Sequence, residues 1–277
     1  FQYMNLSKNI FVPHEVYSAR LNLEHIPIVE KWFYQDIEFF PSIVRDDPEF
    51  ARYCLRMGHA YMKNLRDAWL RLSESNISTT MLGDDGFAWK YIPFDDHDVP
   101  KELTLVCAGA GTNISFEIII AEQYPGSRLY LLDPSPQAIR YVKSISLPSN
   151  IIFVEKGLAL TSGSLSFTKP DIPGLGSLSS KNIVRGHETF DLEVTSLGDF
   201  MATHSIDAID YLKFDIEGCE HEVIRSLADL PVLPSQIAFE LDQPTPIWTC
   251  EKTLKFAMSL GYKLVDIWGT NVLMQLS

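Results

Sequence analysis

The chain has 277 residues, which at about 150 residues per domain allows one large domain or two small ones. Its 36 acidic residues against 23 basic ones give a net charge of −13, and this argues against a nucleic-acid partner, which needs a basic face. No apolar run reaches the roughly 18 residues of a membrane helix, and the four cysteines lack any metal-binding spacing. Because the first residues do not resemble a signal peptide, the default expectation is a cytoplasmic protein.

The first 80 residues are predicted to form a helical region of their own. Residues 48–73 carry apolar side chains at helical spacing, which favours a helix packed on the neighbouring domain. A lid or an oligomerisation element is the alternative. Residues 81–100 are predicted to be loop-like because they contain several glycines and prolines, and residues 81–277 are predicted to form the main domain.

From residue 101 onward, predicted strands and helices alternate. This alternation predicts a mostly parallel sheet with helices on both faces, in the α/β class. A β-hairpin is predicted over 158–169, a loop over 170–188, a strand over 191–197, and a terminal antiparallel hairpin over 262–276. The other predicted strands span 103–109, 128–133, 150–155, 208–215 and 235–242, and the helices 115–124, 136–145, 219–229 and 249–260.

A glycine-rich turn follows the first of these parallel strands and consists of Gly109, Ala110, Gly111, Thr112 and Asn113. The glycines allow a tight turn and close approach of a ligand, and the next helix directs its N-terminus at that ligand. Asp133 ends the next strand, 22 residues after Gly111, where a carboxylate can accept hydrogen bonds from both ribose hydroxyls. The glycine-rich turn together with Asp133 indicates a nucleoside-binding site. An ordinary turn with a surface acid is the structural alternative.

The turn also bears on which nucleoside would bind. A dinucleotide motif places a third glycine at position 114, where this chain has Ile114, so a pyrophosphate would be crowded. S-adenosylmethionine carries no phosphate, and backbone N–H groups of such a turn favour its carboxylate. A nicotinamide-dependent oxidoreductase and a non-catalytic nucleoside-binding protein remain as alternatives.

Charged residues end the two strands predicted over 208–215 and 235–242. Lys213, Asp215 and Glu217 occupy every second position and are therefore expected on one side of the end of the first strand. Burial of charged groups is costly, so these residues indicate either a functional role or capping of the next helix. Glu240, at the end of the second, is expected beside Asp215. Two close carboxylates could hold a divalent cation, one could act as a base, or both could form an acidic rim. His187, in the predicted loop, is a further catalytic candidate.

Four segments resemble the FkbM family of methyltransferases: residues 86–93, 109–117, 133–136 and 211–220. The last reads YLKFDIEGCE, is similar to the family signature K-[IF]-D-[VI]-E-G-x-E, and is the most specific of the four. The resemblance covers the chain from about residue 86 to its end. Two positions depart from the family pattern, because Cys107 and Asn113 stand where many relatives have acids.

The resemblance implies a Rossmann-like methyltransferase fold, with a mostly parallel seven-stranded sheet, a C-terminal antiparallel hairpin and the N-terminal helical extension. It implies S-adenosylmethionine as donor and a small-molecule acceptor, usually a hydroxyl of a sugar or another natural product. The catalytic candidates are then Asp215, Glu217, Glu240 and His187, and a tentative divalent metal would be held by Asp215 and Glu240. The residues assigned to the donor are Gly109, Ala110, Gly111, Thr112, Asn113, Glu117, Asp133, Pro134, Ser135, Gly157 and Asp215.

Overall fold

The structure is a computed structural model that describes residues 62–67, 77–94, 102–169, 178–180, 187–241 and 247–277. Most of the predicted N-terminal region and most of the predicted loop over 170–188 therefore lie outside the described residues. Residues 62–67 are helical, in agreement with the prediction for that stretch. The division of the chain at residue 80 stays a prediction.

The strands and helices follow the order expected of an alternating α/β chain. The strands are β1 (Thr80–Leu82), β2 (Trp89–Tyr91), β3 (Thr104–Ala108), β4 (Arg128–Leu132), β5 (Ile151–Val154), β6 (Gly157–Leu158), β7 (Gly163–Lys169), β8 (Glu188–Thr195), β9 (Tyr211–Phe214), β10 (Gln236–Glu240), β11 (Tyr262–Trp268) and β12 (Asn271–Leu276). The helices are α1 (Ser115–Gln123), α2 (Pro136–Ser144), α3 (Leu197–His204), α4 (Glu220–Ser226), which continues as a 3₁₀ turn over Leu227–Asp229, and α5 (Ile247–Ser259).

Seven strands form the central sheet in the order β11-β12-β10-β9-β3-β4-β5. The pairs of β9 with β10, β3 with β9, β3 with β4 and β4 with β5 are parallel, whereas β12 runs antiparallel to both of its neighbours. The terminal hairpin thus adds one antiparallel strand, as predicted, and the sheet confirms the predicted Rossmann-like methyltransferase fold. The parallel strands end at one edge, where ligands bind in such folds.

Alternating side chains of the central strands enter two separate cores. Odd and even positions of a strand point to opposite faces, so strands covered on both faces are apolar throughout. One core lies under α3, α4 and α5, and it also contains Met62 and Leu65 from the helical residues 62–67. The other lies under α1, α2 and the β1–β2 pair. The first core takes Val106, Ala108, Leu212 and Phe214 from β3 and β9, and the second takes Leu105, Cys107 and Tyr211.

A small three-stranded sheet in the order β6-β8-β7, here called the small sheet, differs from the sequence prediction. The hairpin predicted over 158–169 is wrong, because β7 pairs antiparallel with β8 and β6 pairs with β8 from its other side. Local turn residues predicted a nearby partner, whereas the actual partner lies beyond residue 187. The pairing still alternates, so Phe167 and Leu192 share an apolar face and Ser166 and Glu193 the polar one.

The stretch from residue 80 to 91 also differs from the prediction of a loop. It contains the antiparallel pair β1–β2, in which Leu82 is opposite Trp89 and Thr80 is opposite Tyr91. Trp89 and Tyr91 are buried against the second core, so the strand pair is part of the packed domain. Within the described part of the chain, no helix has the length and apolar character to cross a membrane.

Candidate active site

A cavity of about 710 Å³ opens at the edge where the parallel strands end. Its volume is within the range of small-molecule sites, which is roughly 300–1,000 Å³. It is lined by every residue that the sequence assigned to the site except His187. These residues are Gly109, Ala110, Gly111, Thr112, Asn113, Glu117, Asp133, Pro134, Ser135, Gly157, Asp215, Glu217 and Glu240.

The glycine turn after β3 is shaped by the close approach of the loop after β9. Gly109 has a φ of +88°, a region that favours glycine, and a Cβ at this position would lie 1.8 Å from the carbonyl oxygen of Asp215. The N–H of Gly109 donates to the carbonyl oxygen of Leu132 at 2.9 Å. A side chain at position 109 is therefore excluded by backbone atoms, and the turn stays open toward the cavity.

Asp133 is held in place by two backbone N–H groups. Gly111 N donates to its Oδ2 at 2.9 Å, and Ser135 N donates to its Oδ1 at 2.8 Å. The residue is only 7% exposed but lines the cavity. An ionised carboxylate has about four acceptor positions, so about two remain after these bonds. The carboxylate is thus fixed in orientation and still able to accept two hydroxyl donors from a ligand.

The two departures from the family pattern have different surroundings. Both ends of the Asn113 amide are hydrogen-bonded within the protein, because its Nδ2 donates to Asp84 Oδ2 at 3.0 Å and its Oδ1 accepts from the N–H and the hydroxyl of Ser115. Asn113 therefore fixes the turn of the β1–β2 pair to the start of α1. Cys107 is buried in β3, where burial raises the pKa of its thiol well above the usual value.

A buried ion pair lies beneath the glycine turn. Lys213 Nζ donates to Glu117 Oε1 at 2.8 Å, and the two side chains are 4% and 2% exposed. The ammonium also lies 4.8 Å from the ring centroid of Trp89 and 3.4 Å from the carbonyl oxygen of Gly109. Such a pair needs good geometry and further partners to offset its desolvation. Here it joins α1, β2, β9 and the turn.

Asp215 and Glu240 form a close pair of carboxyl groups, as the sequence predicted. Asp215 Oδ1 is enclosed and accepts no hydrogen bond from the described residues, and the Glu240 carboxyl lies beside the Asp215 carboxyl. Burial and the charge of Glu240 raise the pKa of Asp215 to about 8. Burial also raises the pKa of Glu240, whose carboxylate accepts a hydrogen bond from the Thr270 hydroxyl. The pair can take up a proton near neutral pH.

The loop after β9 is tightly organised around Glu217. Glu217 has a left-handed φ of +56°, and the Glu220 carboxylate accepts the N–H groups of Ile216 and Gly218, each at 2.8 Å. Glu220 thus fixes this loop ahead of α4. The carbonyl oxygen of Glu217 in turn accepts the Ser179 hydroxyl at 3.0 Å, so residues 178–180 are attached to the loop.

The sequence did not identify the apolar residues of the cavity. Phe167, Leu178 and Leu192 line it on the side of the small sheet, and Met81 and Phe87 line it from the region of the β1–β2 pair. Period-two spacing of Trp89 and Tyr91 could have revealed β2. The partner of β7 had no comparable local signal.

Two of the predicted catalytic features find no support in the geometry. His187 is exposed just before β8 and is not among the residues that line the cavity. The described residues contain no group of three or more His, Cys, Asp or Glu side chains arranged to hold a metal ion.

The mostly parallel sheet with its terminal antiparallel hairpin, the glycine turn and the acid after β4 are the features of a Rossmann-like methyltransferase fold. The methyltransferase FkbM domain matches residues 94–263, more than half of the chain, so the chain belongs to the FkbM methyltransferase family. The chain is also 26% identical over 178 residues to the methyltransferase sdnD of Sordaria araneosa, covering 51% of this chain and 68% of that one.

Solved structures of methyltransferases are similar to the chain as well. The methyltransferase FkbM of Methylobacillus flagellatus KT matches with a TM-score of 0.40 and 14% identity, over 63% of this chain and 43% of that one. The fibrillarin of Aeropyrum pernix, solved with natively bound S-adenosyl-L-methionine, matches with a TM-score of 0.36 and 12% identity, over 63% of this chain and 65% of that one.

Proposed function

We propose that this methyltransferase takes its methyl group from S-adenosylmethionine and transfers it to a hydroxyl of a small molecule. The observation that carries the proposal is the Asp133 carboxylate, which two backbone N–H groups orient and which keeps acceptor positions for two hydroxyls. These positions match the two hydroxyls of a ribose. Membership of the FkbM family supports the choice of donor.

The residues present fit the donor. Gly109 and Gly111 both have positive φ, and a Cβ at Gly111 would meet nothing within 4 Å, so a ligand can approach the backbone N–H groups of the turn there. Such groups favour the carboxylate of an amino-acid tail. Asp133 would hold the ribose, and Gly157, which also lines the cavity, packs closely against Pro134, because a Cβ there would lie 3.1 Å from Pro134 Cγ. When bound, the donor supplies an electrophilic methyl group on a sulfonium.

The reaction requires the protein to position the acceptor hydroxyl against the methyl group and to remove one proton from that hydroxyl. Alignment of a hydroxyl oxygen with the methyl carbon makes the main contribution, because charge disperses in the transition state. A C–O bond forms as the S–C bond breaks, and the hydroxyl proton goes to Asp215. A base with a pKa of about 8 suits this role near neutral pH, and Glu240 would stabilise the added proton by sharing it.

Calorimetry tests the donor half of the proposal. S-adenosylhomocysteine is expected to bind with one site per chain, whereas NADH is expected not to bind, because Ile114 stands where a pyrophosphate needs glycine. Binding of NADH in preference would support the nicotinamide alternative. Binding of the donor without transfer to any hydroxyl compound would support a non-catalytic binding protein.

Asp215→Asn tests the base. With an acceptor identified through labelled donor, the variant is expected to bind S-adenosylhomocysteine as the unaltered chain does and to lose about 10²–10⁴-fold in turnover, the usual contribution of a general base. In the unaltered chain, turnover should rise with pH until Asp215 is ionised, near pH 8. Full turnover in the variant would remove Asp215 from the mechanism.

A further inference from the structure

We infer that the acceptor is an alcohol with a hydrophobic body and no anionic group, bound between the small sheet and the β1–β2 pair. The inference rests on the proposed function and names the substrate class of that site. It follows from the distribution of apolar and charged residues around the cavity. The sequence assigned none of the apolar ones to the site.

The first apolar wall belongs to the small sheet and the segment attached to it. Phe167 and Leu192 lie on the apolar face of β7 and β8, and Leu178 comes from residues 178–180. Two contacts fix that segment, because Ser179 exchanges backbone hydrogen bonds with Thr168, and its hydroxyl donates to Glu217 O. The wall therefore adjoins the loop that carries Asp215 and Glu217, where the proton is removed.

The second apolar wall belongs to the β1–β2 pair. Met81 and Phe87 are 47% and 55% exposed and both line the cavity. Asp84, in the turn between them, accepts the amide of Asn113, and its N–H donates to Ser115 Oγ at 2.8 Å. This wall is thus fixed beside the glycine turn. Large exposed apolar side chains at the mouth of a cavity are typical of ligand-binding grooves.

The floor between the walls is acidic. Among the described residues that line the cavity, Lys213 is the only base, and its charge is already paired with Glu117. Asp133, Asp215, Glu217 and Glu240 supply the remaining charge there, and Asp85 adds a further carboxylate from the region of the β1–β2 pair. Even with one proton shared between Asp215 and Glu240, the electrostatic potential at the floor of the cavity is negative and repels a carboxylate or phosphate group. A neutral hydroxyl can instead donate its hydrogen to the floor.

Binding of the neutral dye Nile red tests the apolar walls. Fluorescence titration of the chain saturated with S-adenosylhomocysteine is expected to show saturable binding, which 1-octanol displaces. Leu192→Asp and Leu178→Asp, each tested singly, should weaken dye binding at least about tenfold and keep the affinity for S-adenosylhomocysteine within about threefold. Leu160→Asp is the matched control, because Leu160 is 47% exposed and lies outside the cavity lining. This variant should bind the dye as the unaltered chain does.

Displacement of the dye by octanoate tests the acidic floor. At equal chain length, displacement of half of the dye should require an at least about tenfold higher concentration of octanoate than of 1-octanol. This ratio of concentrations should be smaller in Glu217→Gln. Equal displacement by both compounds, or dye binding unaffected by both wall variants, would overturn the inference. If S-adenosylhomocysteine binds but the dye does not, the inference fails alone. If neither ligand binds, the proposed function fails with it.

Discussion

At the scale of single residues, Asp133 is the side chain on which donor binding depends. Asp133→Ala removes two expected hydrogen bonds to the ribose, and bonds to a charged group contribute about 1.5–3 kcal/mol each. The dissociation constant for S-adenosylhomocysteine should therefore rise by about 10²- to 10⁴-fold in calorimetry. Asp207→Ala, at an exposed position outside the cavity lining, is the control and should leave the constant unchanged. Unchanged affinity in Asp133→Ala would contradict the role of this residue.

The Asp215 carboxyl also affects how stability depends on pH. Its pKa is raised from 3.8 to about 8 by burial and by Glu240, with Asp133 adding to the rise and Lys213 opposing it. The folded chain therefore keeps a proton that the unfolded chain releases, and stability falls as pH rises between these values. Asp215→Asn removes this contribution, so its melting temperature should fall less than that of the unaltered chain between pH 5 and pH 8.

Asp207→Asn is the control for this measurement, since Asp207 is exposed, and its melting curve should follow that of the unaltered chain at each pH. Parallel loss of stability in Asp215→Asn and the unaltered chain would show that Asp215 is ionised throughout the range.

The sequence predicted well which single residues line the cavity and predicted few of the contacts that hold them in place. Gly109, Gly111 and Asp133 follow directly after predicted strands, so a local pattern was enough to place them at one edge of the sheet. The bond between Asn113 and Asp84 joins positions 29 residues apart, and no local pattern indicates it. His187 is a candidate because of its place in the predicted loop over 170–188, but it does not line the cavity.

At the scale of elements, the buried pair of Lys213 and Glu117 connects β9 with α1. Lys213→Met leaves a buried carboxylate without its partner and should lower the free energy of unfolding by about 3–5 kcal/mol in urea titrations. The double variant Lys213→Met with Glu117→Gln should recover part of this loss, since no charge then remains unpaired.

Lys169→Met is the matched control, because Lys169 pairs with Glu188 at 3.1 Å on the surface, where both side chains are more than half exposed. Its loss should be under about 1 kcal/mol. Equal losses in Lys213→Met and Lys169→Met, or no recovery in the double variant, would contradict the importance of the buried pair.

The order of strands and helices was predictable because it depends on local periodicity. Apolar runs such as that of β3 and β4 predict buried parallel strands, and the structure confirms them within one or two residues at each end. Pairing of β7 with β8 depends on residues that the intervening segment separates, so turn chemistry at Ser162 and Gly163 gave the wrong partner. A pattern shows that a strand exists but does not show which strand it joins.

At the scale of the whole molecule, the helical residues 62–67 pack into one of the two cores of the central sheet. Met62 and Leu65 are 0% and 2% exposed and belong to the same core as the strands of the central sheet. Leu65→Ala should lower the free energy of unfolding by about 2–5 kcal/mol, the usual cost of such a truncation in a core. Leu160→Ala, at an exposed position, should change it by less than about 0.5 kcal/mol. Equally small changes in the free energy of unfolding of Leu65→Ala and Leu160→Ala, measured by chemical denaturation, would show that Leu65 is not part of the core.

The donor site is the claim on which the account of the whole molecule depends. A crystal structure with S-adenosylhomocysteine tests it most directly. The account predicts that both ribose hydroxyls donate to the Asp133 carboxylate and that the amino-acid tail lies over the turn of Gly109 and Gly111, toward Asp215. A ligand bound elsewhere, or a ribose turned away from Asp133, would contradict it.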